Sequence, residues 1–245
     1  MSKKILEVKH LQKCFGEKEI LKNVSFSIQE GEVLVLLGPS GSGKSTLLRT
    51  LNGLESIQKG EIYFQGELLK GEEKQWQAIR QKIAMVFQNY ELFPNLTVME
   101  NLLLSPTKVQ KREKTTVEKQ AKVLLERIGL GEKLKSYPRE LSGGQKQRVA
   151  IVRALVMEPT MILFDEVTAS LDPEMVREVL EMIQDLAKER KTMMVVTHEI
   201  DFARRVADRV IFMEEGEIIS DYTAQEFFEE QKNERITRFL NSLTH

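Results

Sequence analysis

Nine consecutive residues, Gly38, Pro39, Ser40, Gly41, Ser42, Gly43, Lys44, Ser45 and Thr46, put small residues, hydroxyls and one cation in the spacing GxxxxGK[ST]. Gly41 and Gly43 admit turns closed to bulkier residues, so backbone N–H groups can converge on a dense anion such as a polyphosphate. A helix starting near Lys44 adds its positive end. Lys44 can then reach the β- and γ-phosphates, the Ser45 hydroxyl can ligate Mg²⁺, and Thr46 is near enough for the α-phosphate. Further along, the apolar run Met161 to Phe164 ends in two acids, Asp165 and Glu166. Asp165 is placed to bind Mg²⁺ through water. A second carboxylate beside the metal ligand can orient a water or take its proton, which makes Glu166 the candidate general base. A kinase, a GTPase and an ATPase all remain compatible with these residues.

The elements that must hold these groups are legible in outline. Val33 to Leu37 is a continuous aliphatic run, as expected of a strand buried on both faces, and it leads straight into the glycine loop and a helix. Ile5 to His10, Val24 to Ile28 and Ile62 to Phe64 alternate and predict an antiparallel β edge. From about Asn89 to Glu140 the pattern turns helical, with Val117, Ala121, Leu124, Leu125 and Ile128 at spacings of three and four and Gly129 to close the helix. After Ser142, strands Met161 to Phe164, Met193 to Thr197 and Val210 to Met213 alternate with helices, predicting a parallel-rich α/β core. One of those helices follows Pro173, with Asp172 as its expected cap, Val176, Val179, Leu180, Ile183 and Leu186 as its apolar face, and Lys188 and Arg190 at its negative end. Phe227, Phe228, Ile236, Phe239 and Leu240 in the tail predict packing.

Composition narrows the class. With 245 residues, 41% hydrophobic and 30% charged, the chain suits one large globular domain with a substantial core. A net charge of -1 offers no positive field for a nucleic acid backbone. The basic cluster Lys108 to Lys114 reads as a solvated loop. One cysteine and three scattered histidines predict neither a disulfide nor a metal cluster and fit a reducing cytosol. The start, MSKKILEVKH, has no apolar h-region and Val33 to Leu37 is far too short to span a bilayer, so membrane contact is expected through another chain.

Between the glycine loop and the acidic pair lies Leu141-Ser142-Gly143-Gly144-Gln145, continued by Gln147 and Arg148. All three elements in this order resemble the ATPase subunit of an ABC transporter, and the resemblance runs from Ile5 to about Ser220. It implies an α/β fold: a P-loop NTPase (ABC ATPase) core with an antiparallel β subdomain and an inserted helical subdomain. Residues 1–88 and 141–245 would form the core and about 89–140 the helical part. It implies ATP and Mg²⁺ as ligands and a homodimer in which Ser142, Gly143, Gly144 and Gln145 face, in trans, the γ-phosphate held by the other copy; an ordinary helix capped by Ser142 is the alternative. Gln88, closing the strand Ile83 to Phe87, resembles the Q-loop glutamine that touches Mg²⁺ and the attacking water. His198 matches the histidine that bonds the γ-phosphate. Phe15 resembles the aromatic that stacks on adenine, with core packing as its rival.

The chain departs from the family in the loop after Glu166. Val167-Thr168-Ala169-Ser170-Leu171-Asp172 stands where Pro-Thr-Ser-Ala-Leu-Asp is common, so a proline is lost and a hydroxyl moves by one position in a loop that crosses to the partner copy. The stretches Met85 to Pro94 and His198 to Arg205 look most like ATPases of bacterial polar amino acid importers. Those work at the cytoplasmic face of the membrane with integral permease subunits and an extracytoplasmic substrate-binding protein. Methionine, metal, lipid or export transport, or a soluble non-transport ABC ATPase, are the alternatives.

Overall fold

The computed structural model describes residues 3–230 and 233–243; the first two residues of the amino-terminal segment and His245 lie outside them. Ten strands form two sheets among the described residues. β1 (Lys4–Phe15), β2 (Lys18–Gln29), β4 (Lys59–Phe64) and β5 (Glu67–Leu68) make an antiparallel sheet in the order β2-β1-β4-β5. The second sheet runs β10-β9-β3-β8-β7-β6 and uses β3 (Val33–Leu37), β6 (Ile83–Val86), β7 (Met161–Asp165), β8 (Thr192–Val196), β9 (Arg209–Glu214) and β10 (Glu217–Thr223). Its ladders are parallel except for the antiparallel edge strand β10.

The aliphatic runs are continuous because each central strand feeds two cores. On β3, Val33, Val35 and Leu37 point into one cluster and Leu34 and Leu36 into the other. β7 divides in the same way, Ile162 and Phe164 on one side and Met161 and Leu163 on the other. The face carrying Leu34 packs on the inner residues of the antiparallel sheet and on Leu47, Leu48 and Leu51 of α1 (Lys44–Leu51). The opposite face packs on α5 (Gly143–Val156), α6 (Pro173–Lys188) and α7 (Ile200–Val206), together with Phe227 of α8 (Ala224–Phe228) and Ile236 and Phe239 of α9 (Glu234–Leu243). The aromatic tail therefore packs as expected.

A third cluster joins α3 (Val98–Lys108) and α4 (Lys114–Arg127) to Leu141, Val149, Val152 and Val156. α5 thus belongs to two cores at once, lending Ala150, Ile151 and Ala154 to the sheet. α2 (Glu73–Ile79) completes the helices and buries Ile79. No described helix is long and apolar enough to cross a membrane.

Three local expectations need correction. Asp172 precedes α6 and Pro173 opens it, but the aspartate side chain makes no capping hydrogen bond, so the helix start rests on proline's fixed φ. α6 ends at Lys188, leaving Arg190 beyond the helix, where it faces Asp208 at 3.7 Å. The basic cluster is more than solvated loop. Arg112 donates to the carbonyl of Val156 at 2.7 Å, satisfying an orphan acceptor at the end of α5, and Glu113 caps α4 by accepting from the amides of Thr115 and Thr116.

Candidate active site

Parallel pairing brings the chemistry to one edge. Leu36 and Asp165 both pair with Val196, and Val86 pairs with Phe164. The residues just past those strand ends are Gly38, Glu166, His198 and Gln88, so four loops issue from the carboxyl side of β3, β7, β8 and β6, where open α/β sheets bind ligands.

The glycine loop is built for an anion. Gly38, Gly41 and Gly43 have φ of 148°, 79° and 100°, and Gly43 is the left-handed cap of α1. The amides of Gly41, Gly43, Lys44, Ser45 and Thr46 make no hydrogen bond among the described residues, so a row of donors stands free at the helix start. Ser42 Oγ is buried there without a partner. The Lys44 ammonium is buried and folds back, donating to the carbonyls of Gly38 and Pro39 at 2.8 Å each. Burial pushes its pKa down while Glu166 and Asp165 pull it up. A polyphosphate would offer this cation better acceptors than two carbonyls.

Ser45 Oγ donates to Asp165 Oδ1 at 2.7 Å, a hard-oxygen pair across β7 and α1 that fits a magnesium ligand set. Burial drives the Asp165 carboxyl upward, opposed by the Ser45 hydrogen bond and by Arg49. Glu166, one residue on, behaves oppositely. His198 Nε2, in its N–H tautomer, donates to Glu166 Oε1 at 3.2 Å and holds that carboxyl below the ordinary range against the pull of burial, with help from the charge of Lys44. Glu166 also has φ of 46°, a left-handed conformation that costs a non-glycine residue about 1 kcal/mol or more and occurs preferentially at functional sites. Its amide donates to Val196 carbonyl at 3.1 Å, which fixes the turn. The outcome is an ionised carboxylate, able to accept a proton, beside a metal-ready pair.

The other predicted residues sit around this cluster. Phe15 lies at the end of β1 and is 48% exposed, which removes core packing as an explanation for it. Ser142 caps α5, its Oγ accepting from the Gln145 amide at 3.2 Å while Gln145 Oε1 accepts from the Ser142 amide at 3.1 Å. The two glycines that follow are needed within the chain as well. A Cβ on Gly144 would meet Met175 Cβ at 2.8 Å, and one on Gly143 would meet the Tyr90 hydroxyl at 3.0 Å. No hydrogen bond among the described residues carries Ser142–Gln145 to the chain's own glycine loop. β6 stops at Val86, two residues before Gln88, which is exposed.

The bracing of the Gln88 loop was not apparent from the sequence. Gln147 Nε2 donates to Phe87 carbonyl at 3.2 Å, and Arg153 donates to the carbonyls of Tyr90 and Glu91, two residues with φ of 59° and 49°. Ser170, the displaced hydroxyl, lies 3.4 Å from both Gln88 carbonyl and the Tyr90 hydroxyl. Helical spacing from Ser142 places Gln147 and Arg153 on α5, but nothing in the sequence says which carbonyls they reach.

A parallel sheet that delivers a glycine loop and two successive acids to one edge is the architecture of the P-loop NTPases. The helical layer built on α5 narrows the class further, and the chain belongs to the ABC transporter family, whose profile matches residues 21–169. It is 48% identical over 241 residues to the glutamate/aspartate import ATP-binding protein of Escherichia coli (strain K12), covering 98% of this chain and 100% of that one. It is 51% identical over 243 residues to the L-cystine import ATP-binding protein of Bacillus subtilis (strain 168), covering 98% of each. Among solved structures it resembles cbiO1 from Clostridium perfringens, part of an ABC transporter complex, with a TM-score of 0.83 at 31% identity over 98% of this chain and 99% of that one. The dimeric post-hydrolysis cassette MJ0796 bound to ADP and Pi gives a TM-score of 0.81 at 34% identity, over 90% and 99%. The protein is an ATP-binding subunit of a transporter complex that binds ATP with Mg²⁺ and hydrolyses it.

Proposed function

We propose that this chain powers uptake of a polar amino acid, working at the cytoplasmic face of the membrane beneath integral permease subunits fed by an extracytoplasmic binding protein. The full-length likeness to import subunits for acidic amino acids and cystine carries this reading. The transported molecule touches other chains, so this chain supplies force rather than selection.

In this reading two copies close around two ATP molecules, each held between Gly38–Thr46 of one copy and the Ser142–Gln145 segment of the other. The free amides of the loop and the Lys44 ammonium cradle the phosphates, and the outer face of Phe15 receives the adenine. Ser45, Asp165 and Gln88 would hold Mg²⁺, which supplies charge neutralisation at the β- and γ-phosphates. Glu166, kept ionised by His198, takes a proton from the attacking water as its oxygen bonds the γ-phosphorus. The bond from that phosphorus to the β–γ bridging oxygen breaks, and ADP and inorganic phosphate leave. His198 holds the Glu166 carboxylate before ATP arrives and turns to the γ-phosphate afterwards. Loss of that phosphate removes the contacts that favoured closure, so the copies separate.

Glu166→Gln tests the chemistry. It should bind ATP as the parent does, slow hydrolysis by about 10²–10⁴-fold and accumulate a dimer with ATP. Turnover at the parent rate would remove Glu166 from the mechanism. Lys44→Ala should instead weaken ATP binding, and unchanged affinity would count against the phosphate assignment. For transport, tagged protein drawn from detergent-solubilised host membranes should bring down a permease whose binding protein takes an amino acid; a binding protein selecting a metal or a lipid would overturn the substrate class.

A further inference from the structure

Phe15 is presented to solvent by something beneath it. Lys13 precedes it by two positions on β1, so both side chains leave the same face of the strand. Lys13 is only 3% exposed, and its Nζ lies 4.5 Å from the centroid of the Phe15 ring. The ring thus has a cation over one face, while the residue as a whole is 48% exposed. Burying an ammonium is unfavourable unless it is paired. Here it has a carboxylate, Glu55 Oε2 at 3.1 Å, as well as the ring.

Glu55 connects the base side of the site to the phosphate side. Its amide, beyond the end of α1, donates at 3.2 Å to the carbonyl of Arg49 in the last turn of that helix, whose first residues are Lys44 and Ser45. A second tie runs parallel to it. Gln58 Oε1 accepts from the Cys14 amide at 2.7 Å and the Gln58 amide donates to Gln12 carbonyl at 3.0 Å. The strand end bearing Phe15 is therefore fastened to the segment that follows the phosphate-binding helix.

We infer that Lys13 is a positioning residue for the nucleotide base, clamping the Phe15 ring from beneath so that its outer face is set for stacking. This rests on the reading of Phe15 as the adenine platform. A cation on one face draws π density towards itself and leaves the opposite face less negative, which favours an offset-stacked heterocycle there. It also fixes the ring before the ligand arrives, so less side-chain entropy is lost on binding.

The test compares ATP with tripolyphosphate, which has the same anionic group but no base, in Lys13→Met, Lys13→Arg and Phe15→Ala, each with Mg²⁺ and read by titration calorimetry. Lys13→Met should weaken ATP binding about 3- to 10-fold, leave tripolyphosphate binding unchanged, and raise KM without changing kcat at saturating ATP. Lys13→Arg should restore ATP affinity, because a guanidinium also sits on an aromatic face. If Lys13→Met binds ATP as the parent does while Phe15→Ala binds it more weakly, the inference fails and the platform reading stands. If Phe15→Ala also binds ATP normally, the platform reading itself fails. Equal weakening of tripolyphosphate by Lys13→Met would place the effect on α1 through Glu55 and would overturn the inference. Should Lys13→Met melt below the assay temperature, Lys13→Gln, which can still bond Glu55 but brings no charge to the ring, is read the same way.

Discussion

Gly38 and Gly41 occupy one loop, yet alanine should affect them very differently. A Cβ on Gly38 would lie 2.0 Å from the carbonyl oxygen of Met213 on β9 and 3.2 Å from Ser42 Oγ. Carbon and carbonyl oxygen approach comfortably only to about 3.3 Å, so the overlap exceeds about 1 Å and either β3 or β9 must move. Its φ of 148° adds backbone strain. A Cβ on Gly41 meets nothing within 4 Å, and only its φ of 79° is unfavourable. Left-handed strain of about 1–2 kcal/mol accounts for Gly41→Ala. Gly38→Ala suffers comparable strain plus overpacking of about 1–3 kcal/mol or more, because β3 is held by ladders on both sides. An excess of about 3 kcal/mol corresponds, for a chain of this size, to a melting midpoint roughly 6–12 °C below that of Gly41→Ala. Scanning calorimetry without nucleotide measures this directly. Midpoints within about 2 °C of each other would refute the argument that Met213, rather than loop conformation, makes glycine necessary at position 38.

Three other outcomes follow from the geometry. His198→Ala removes the hydrogen bond that keeps the Glu166 carboxyl low before ATP binds, so the acid limb of kcat/KM against pH, which reports the free enzyme, should move to higher pH; an unmoved limb would contradict the role of His198 as holder of the base. Glu113 is held at about 2 against an ordinary value of 4.5 by the Thr115 hydroxyl and by the Thr115 and Thr116 amides. Because its folded value is depressed, its contribution to α4 is complete above the ordinary carboxylate range and is lost as pH falls through about 2, and carboxyl NMR that finds it near 4.5 would sink the cap. Arg153→Ala frees the carbonyls of Tyr90 and Glu91, which should speed amide exchange across 88–93 and destabilise the fold by about 1–2 kcal/mol; exchange at the parent rate would show the loop needs no brace.

How far the sequence could be read depended on whether the deciding contacts were local. Val33 to Leu37 and Met161 to Phe164 were legible because burial on both faces leaves an unbroken aliphatic signature. β1 was expected only from Ile5 to His10 but continues to Phe15. Its alternation breaks where the register with β2 shifts between Val8 and Leu11, at His10 with φ of 50°, and such a bulge destroys the period-two pattern. β10 escaped notice because an edge strand buries almost nothing, Ser220 alone in its case. At the site, the glycine loop and the acid pair are sequential motifs and could be read directly. The grip of α5 on the Gln88 loop joins residues some 60 positions apart, and the Lys13–Glu55 pair joins β1 to the loop after α1, so neither leaves a local pattern.

α5 begins at the serine expected to greet the other copy's nucleotide and, five and eleven residues later, grasps the backbone on either side of Gln88. A helix of 14 residues is a rod about 21 Å long. A push on its tip is therefore delivered undiminished at its waist. In the proposed dimer the two copies would need no flexible messenger to learn whether the other is loaded, and a membrane partner docked beside Gln88 would receive that news as a tilt.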